Sequence, residues 1–198
     1  MSEPRVLITF YSRCGSTEKL ASATGVGAVQ GRSLIRLRRV PDADNDEPPP
    51  DGQETYVRMR KEYVTPAQAD VLWADALIFG VSPRCTPVSE EWTAYLELLE
   101  QLRDQGKLDG KVGVVVTPTS GSDDVYESQR PSWSASILRL GFVALPAPSA
   151  RMADSVPNEL HRAVVQGRRV AGIVNALKAG SATWADAQAL LPDEHTIG

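Results

Sequence analysis

The residues best suited to chemistry lie at the junction that follows the first apolar run of the chain. Residues Thr9–Ala21 read TFYSRCGSTEKLA, in which Ser12–Thr17, here called the anion loop, separates a strand pattern from a helical pattern. Such a loop presents backbone N–H groups, hydroxyls and a helix N-terminus to one point, an arrangement that binds phosphate. It matches neither GxxxxGK[ST] nor GxGxxG, which disfavours nucleoside triphosphates and the dinucleotide fingerprint. The alternative is an ordinary turn in which Ser16 or Thr17 caps the helix.

Two further polar loops follow apolar runs in the same way. Residues 82–86 read SPRCT, and residues 117–121 read TPTSG. In an open parallel sheet, the loops at the carboxyl ends of neighbouring strands form the ligand crevice. The sequence therefore predicts that these two loops and the anion loop share one crevice. The alternative is that loops in α/β proteins are polar in general.

The elements that must position these loops alternate between strand and helix, which predicts an α/β fold with a parallel sheet. Four nearly continuous apolar runs predict strands that are covered on both faces, whereas Ser33–Val40 alternates and predicts an exposed edge strand. The four buried runs are Val6–Tyr11, Ala76–Val81, Val112–Thr117 and Phe142–Pro146. The spacing of apolar residues predicts helices at Ser16–Val29, Ser89–Gln105, Ser132–Leu140 and Asn158–Leu177.

Five strands in this length favour a flavodoxin-like three-layer sandwich with strand order 2-1-3-4-5. The acidic, proline-rich stretch Pro41–Gly52 is predicted to be a loop. Gly180 stands just beyond the last predicted helix, where it is expected to end that helix. We therefore divide the chain into a domain at 1–180 and a C-terminal tail at 181–198, in which Ala182–Leu191 could form one more short helix.

The composition excludes several classes of protein. The chain has 198 residues, a net charge of −4, 42% apolar residues and 23% charged residues, which are globular values. With no secretory leader pattern and no apolar run near the roughly 20 residues that span a bilayer, it is expected to be cytoplasmic, without a membrane span or a nucleic-acid partner. Cys14 and Cys85 lie in the predicted loops, where incidental reduced thiols are favoured over a redox pair. His161 and His195 are too scattered to predict a metal site.

A basic stripe and an aromatic pair each allow two interpretations. Arg36, Arg38 and Arg39 could attract the phosphate of a pyridine nucleotide, but a solvated edge that discourages aggregation is favoured. Trp92 and Tyr95 could lie at an interface, and core packing explains their spacing equally well.

Several segments, taken in order, resemble the NAD(P)H:quinone oxidoreductases that were once named for tryptophan-repressor binding. These segments are SRCGST at residue 12, TPAQADVLWADALIFG at 65, PSWSASILRLGFVALP at 131 and QGRRVAGIVNALK at 166. The resemblance, over residues 5 to 179, implies non-covalent FMN, hydride transfer from NAD(P)H to FMN, reduction of a quinone, and a homodimer or homotetramer. This scheme requires no side-chain nucleophile or general base, and it identifies no catalytic residue. The implied cofactor-binding residues are Ser12, Arg13, Cys14, Gly15, Ser16, Thr17, Ser82, Pro83, Arg84, Cys85, Thr117, Thr119, Ser120 and Gly121.

Three segments depart from the pattern of that family. Cys85 and Thr86 stand where the family usually has an aromatic residue and a glycine, and Ala147–Pro157 replaces a long glycine-rich excursion. Arg139 and Leu140 stand before Gly141 where the family's helix ends in histidines. These departures leave two alternatives open. One is an electron carrier of the flavodoxin type that docks to protein partners, and the other is a binding or scaffold protein without turnover.

Overall fold

The computed structural model describes residues 2–42, 50, 52–81, 90–118, 135–136, 138–145 and 159–188, with the side chains of 181–188 excepted. Within these residues five parallel strands form one sheet of order β2-β1-β3-β4-β5, which confirms the predicted topology. The strands are β1 (Arg5–Phe10), β2 (Leu34–Arg39), β3 (Ala76–Gly80), β4 (Val112–Val116) and β5 (Val143–Ala144). Every residue of β3 is buried, as the continuous apolar run predicts for a central strand of a parallel sheet.

Helices cover both faces of the sheet. They are α1 (Ser16–Gln30), α2 (Gln53–Glu62), α3 (Gln68–Trp73), α4 (Glu90–Asp104) and α5 (Glu159–Gln188). One core contains Leu7 and Leu77 of the sheet with Leu99 of α4, and the other contains Ile8 of the sheet with Val170 of α5. Together the two cores make the three-layer sandwich. No helix in the described ranges combines the length and the apolar character that crossing a membrane requires.

Helices α1 and α5 pack backbone to backbone on one face of the sheet. A Cβ atom added at Gly27 of α1 would overlap the carbonyl oxygen of Val164, and one added at Gly167 of α5 would overlap that of Thr24. Because protein interiors are close-packed, the two helices can approach this closely only where both residues lack a side chain. The two glycines therefore fix how α1 lies on α5, and α1 carries the anion loop at its N-terminus.

The structure adds one helix to the prediction and corrects the end of another. Residues after Gly52, where the predicted loop ends, form α2, for which the sequence patterns above predict no element. The last helix does not end before Gly180 but runs on to Gln188, so it crosses the predicted boundary with the tail. Among the described residues no atom lies within 4 Å of where a Cβ atom of Gly180 would be, so no close contact there requires a glycine. Within the predicted helix Ser132–Leu140, only 135–136 and 138–139 are described as helical.

Candidate functional site

The anion loop begins where β1 leaves the sheet. Ser12 is buried, and its Oγ accepts a hydrogen bond of 3.0 Å from the backbone N–H of Gly15. Gly15 is the N-cap residue of α1 and has a φ of 86°, a left-handed conformation that glycine adopts without steric cost. The N–H of Lys19 makes the first intrahelical bond, 3.0 Å to the Gly15 carbonyl. The N–H groups of Ser16, Thr17 and Glu18 therefore have no carbonyl of their own helix to bond.

No side chain caps α1, so the alternative in which Ser16 or Thr17 is the N-cap is wrong. Ser16 is instead the first helical residue, and it is exposed. Capping by a side chain would satisfy one of the free N–H groups. Since no side chain in the described ranges caps them, those N–H groups are open to an anion at the positive end of the helix.

Thr17 adds a hydroxyl that has no hydrogen-bond partner among the described residues. Its side chain is fully buried, and Oγ1 makes no hydrogen bond to any described residue. Its methyl group faces the end of β3, 3.2 Å from where a Cβ atom of Gly80 would lie. A buried hydroxyl without a partner costs roughly 1–3 kcal/mol, so such groups are uncommon in folded proteins. Thr17 therefore has an unused hydrogen-bonding capacity beside three free N–H groups, which is what a phosphate requires.

Helix α2, which the sequence analysis missed, forms one wall of the loop. The methyl carbon of Thr55 lies 2.9 Å from where a Cβ atom of Gly15 would be, and Cys14 Cα is 3.7 Å from the equivalent point on Gly52. Gly52 is the N-cap residue of α2, so the N-terminus of that helix lies against the loop. A sequence signal existed, because Tyr56 and Met59 follow Gly52 at helical spacing and both are buried.

The acidic residue in the first turn of α1 is neutralised by a pair of partners. Glu18 accepts bonds of 2.9 and 2.7 Å from Nη2 of Arg58 and one of 2.8 Å from the hydroxyl of Tyr63. Burial, and then the hydrogen bond to Glu18, raise the pKa of Tyr63, so this hydroxyl keeps its proton. Arg58 of α2 and Tyr63, which follows α2, thus hold the Glu18 carboxylate, and the positive charge of Arg58 offsets its negative charge.

The basic stripe on β2 is paired with carboxylates. The prediction of a solvated edge is wrong for Arg39, which is buried, whereas Arg36 and Arg38 stay partly exposed on the edge strand. Arg36 and Arg38 lie 3.0 and 2.9 Å from Asp70 of α3. The Arg36 guanidinium also lies 4.2 Å from the ring centre of Trp73. Arg39 is buried and pairs with Asp42. The stripe thus joins β2 to its neighbours.

The other strand ends converge on the same edge of the sheet as the anion loop. Phe10 pairs with Gly80, and Gly80 pairs with Val116, so β1, β3 and β4 end side by side. Thr117 follows β4 and is half-buried. The structure therefore brings together the starting points of all three predicted loops. The residues Ser82, Pro83, Arg84, Cys85, Thr119, Ser120 and Gly121 lie outside the described residues.

The remaining candidates separate into settled and untested ones. Trp92 and Tyr95 are buried in the core with ring centres 5.9 Å apart, which confirms the core interpretation of their spacing. Cys14 is an exposed free thiol. Its proposed partner Cys85 lies outside the described residues, so the redox pair is untested.

Comparison with solved structures defines the class of fold. A WrbA-like flavodoxin from Agrobacterium tumefaciens aligns with a TM-score of 0.59 and 18% identity, over 88% of this chain and 99% of that one. An NAD(P)H:quinone oxidoreductase from Methanothermobacter marburgensis aligns with a TM-score of 0.51 and 17% identity, over 85% and 96% of the two chains. The chain thus has a flavodoxin-like fold.

Comparison with curated proteins gives the family. The chain is 30% identical over 159 residues to the NAD(P)H dehydrogenase (quinone) of Syntrophobacter fumaroxidans, which covers 79% of this chain and 78% of that protein. It is 28% identical over 192 residues to the protein of the same name from Archaeoglobus fulgidus, which covers 87% and 98%. No protein-family model matches the chain. The chain belongs to the NAD(P)H dehydrogenase (quinone) family of oxidoreductases.

Proposed function

We propose that this protein binds FMN non-covalently, with the FMN phosphate in the anion loop, and that it transfers electrons from NAD(P)H to a quinone. The observation that carries the proposal is the buried hydroxyl of Thr17, which no group in the described part of the chain bonds, beside the N-terminus of α1, which no side chain there caps. Membership of the quinone-reducing family supports the reaction, and the convergence of three strand ends supports the crevice.

The donor set of the anion loop suits a phosphate monoester. Three backbone N–H groups and the Thr17 hydroxyl can donate to the oxygens of one terminal phosphate. The pyrophosphate of FAD is esterified on both sides, and dinucleotide loops use the GxGxxG pattern that is absent here. FMN therefore fits the loop better than FAD.

The other loops of the crevice are proposed to hold the flavin ring. Thr117 begins one of these loops, together with Thr119, Ser120 and Gly121, and the second contains Ser82, Pro83, Arg84 and Cys85. When bound, FMN supplies the two-electron hydride chemistry that links NAD(P)H to the quinone. The chain binds the phosphate, orients the ring at the strand ends and leaves room for both substrates. This division of labour requires no side chain that acts as a nucleophile or a general base.

We further propose a homodimer or homotetramer. Its support is the sequence resemblance, in which a neighbouring subunit completes the pocket. The short segment Ala147–Pro157 replaces a longer segment of the family. A measurement of the oligomeric state therefore tests whether the subunits assemble without that longer segment.

A visible spectrum tests the cofactor directly. Purified protein, reconstituted with FMN or FAD and desalted, is expected to show flavin absorption with FMN and much less with FAD. NADH or NADPH should then bleach the flavin, and benzoquinone should restore it. Failure to bind FMN contradicts the proposal. A bound flavin that stays oxidised with both nucleotides contradicts the enzymatic part and leaves a carrier.

A further inference from the structure

A buried ion pair lies beside the anion loop. Arg39, the last residue of β2, pairs with Asp42, and their side chains are 3% and 0% exposed. Taking two charges out of water is costly, and a hydrophobic pair of similar volume is often at least as stable. The contacts that the pair makes with its surroundings therefore indicate what it does.

The first contact runs from Arg39 into the anion loop. Its Nη2 donates a hydrogen bond of 2.9 Å to the carbonyl oxygen of Ser12 and also bonds Asp42. Ser12 in turn accepts the Gly15 N–H through its hydroxyl. A chain of hydrogen bonds thus links β2 to the N-cap of α1. Its effect is to fix the direction of the Ser12 peptide, and with it the turn that exposes the free N–H groups of α1.

The second contact runs from Asp42 to the next residue of the loop. Its Oδ1 lies 3.9 Å from Nε of Arg13. Tyr56 of α2 packs against the ion pair, and its ring centre lies 5.7 Å from the Arg39 guanidinium. Burial, and then the charge of Asp42, raise the pKa of Tyr56, so that its hydroxyl remains neutral. Asp42 thus holds an arginine on each side, and the pair touches both leading residues of the loop.

We propose that Arg39 and Asp42 are positioning residues, which hold the anion loop in the conformation that binds the phosphate of FMN. This inference rests on the proposed function, because it names residues that act on the same site without touching the ligand. It assigns the pair to phosphate recognition, beyond the stability of the fold.

A comparison of FMN with riboflavin isolates the phosphate. The two ligands share the ring system, so the ratio of their dissociation constants reports on the loop alone. We expect FMN to bind the parent protein at least about a hundredfold more tightly than riboflavin, since several charge-assisted bonds are involved. In Arg39→Gln and Asp42→Asn this ratio should fall by about tenfold or more, with riboflavin affinity within threefold of the parent.

Asp42→Asn separates positioning from a simple effect of charge. Removing this carboxylate makes the surroundings of the phosphate more positive, which by itself would tighten FMN binding. Positioning predicts the opposite, because Arg39 loses the partner that directs it at Ser12. Tighter FMN binding in Asp42→Asn would therefore overturn the inference.

The control is Arg38→Gln, which removes the neighbouring arginine of β2 and its pair with Asp70. Among the described residues Arg38 bonds only Asp70 and Leu37, outside the anion loop, so its loss should leave the FMN-to-riboflavin ratio unchanged while lowering stability. If Arg39→Gln does not fold, Arg39→Lys and Asp42→Asn decide the matter, and a parental ratio in both would overturn the inference. A parent protein that binds FMN no better than riboflavin would instead contradict the proposed function.

Discussion

Replacement of Thr17 by valine should raise the stability of the FMN-free protein and lower its affinity for FMN. Valine keeps the shape and the β-branch of threonine but lacks the hydroxyl, which is fully buried and has no partner among the described residues. Removing an unsatisfied buried hydroxyl should raise the free energy of unfolding by about 1–3 kcal/mol. For a chain of this length, each kcal/mol raises the melting temperature by about 2–4 °C.

The same hydroxyl should donate to the phosphate when FMN is bound. A hydrogen bond to a charged group contributes about 1.5–3 kcal/mol, so its loss should weaken FMN tenfold to a hundredfold or so. Quenching of flavin fluorescence measures the affinity, and circular dichroism of the FMN-free protein measures the melting temperature. One substitution is therefore expected to move the two quantities in opposite directions.

Thr24→Val is the matched control on the same helix. Thr24 is also fully buried, but its hydroxyl donates a bond of 2.8 Å to the carbonyl oxygen of Leu20. Losing this bond should lower the stability by about 1 kcal/mol and leave FMN affinity unchanged. The reasoning is refuted if Thr17→Val binds FMN within threefold of the parent, or if its FMN-free form loses stability as Thr24→Val does.

Four further outcomes are expected. Ser16→Ala should weaken FMN binding about tenfold to a hundredfold, and Ser16→Asp should weaken it about a thousandfold or more, because a carboxylate there repels the phosphate. The circular dichroism of Ser16→Asp should be unchanged, and an FMN affinity equal to that of the parent in a fluorescence titration would contradict this. Gly27→Ala should lower the free energy of unfolding by about 2 kcal/mol or more in a urea titration, because the added methyl overlaps the backbone at Val164, whereas Gly172→Ala on open surface should raise it by about 0.5–1 kcal/mol. Burial acts to raise the pKa of Asp70, but bonds from its arginines and a backbone N–H outweigh it and hold that pKa below the ordinary 3.8. The stability from Asp70 is thus present above pH 3.8 and is lost as the pH falls through its lower folded pKa, so Asp70→Asn should flatten the acid side of a stability-against-pH curve. Light scattering at micromolar concentration should give at least a dimer, and a fully active monomer would contradict the proposed assembly.

The sheet could be predicted from the sequence because its signals are local. Continuous apolar runs such as Ala76–Val81 specify buried parallel strands, and the turn at Gly15 follows from its position between a strand and a helix. Such patterns depend on neighbouring residues alone. The strand order rests on the number of strands and the topology of flavodoxin-like folds, and the edge position of β2 on the alternation in Ser33–Val40.

The features that could not be predicted depend on residues distant in the sequence. Whether Arg39 is solvated or buried depends on Asp42, which lies in a stretch whose composition predicts a loop. The signal for α2 is local by contrast, but its buried residues Tyr56 and Met59 directly follow a stretch whose composition predicts a loop, and that composition conceals the helix. Gly180 weakens a helix by only about 1 kcal/mol, and a long helix that is packed elsewhere tolerates it.

The packing of α1 on α5 has a consequence for the order in which the protein is made. Arg168 of α5 bonds Gln30 of α1 across 138 residues of sequence. Helix α1, which bears the anion loop, therefore cannot pack on α5 until that much later segment has been synthesised. Closing so long a segment is slow compared with forming the β1–α1 turn itself. Until α5 has left the ribosome, Gly27 and its neighbours on α1 present an uncovered surface. A nascent chain that lacks α5 therefore exposes this surface to chaperones, and the anion loop gains its final support only when α5, far later in the sequence, has been made.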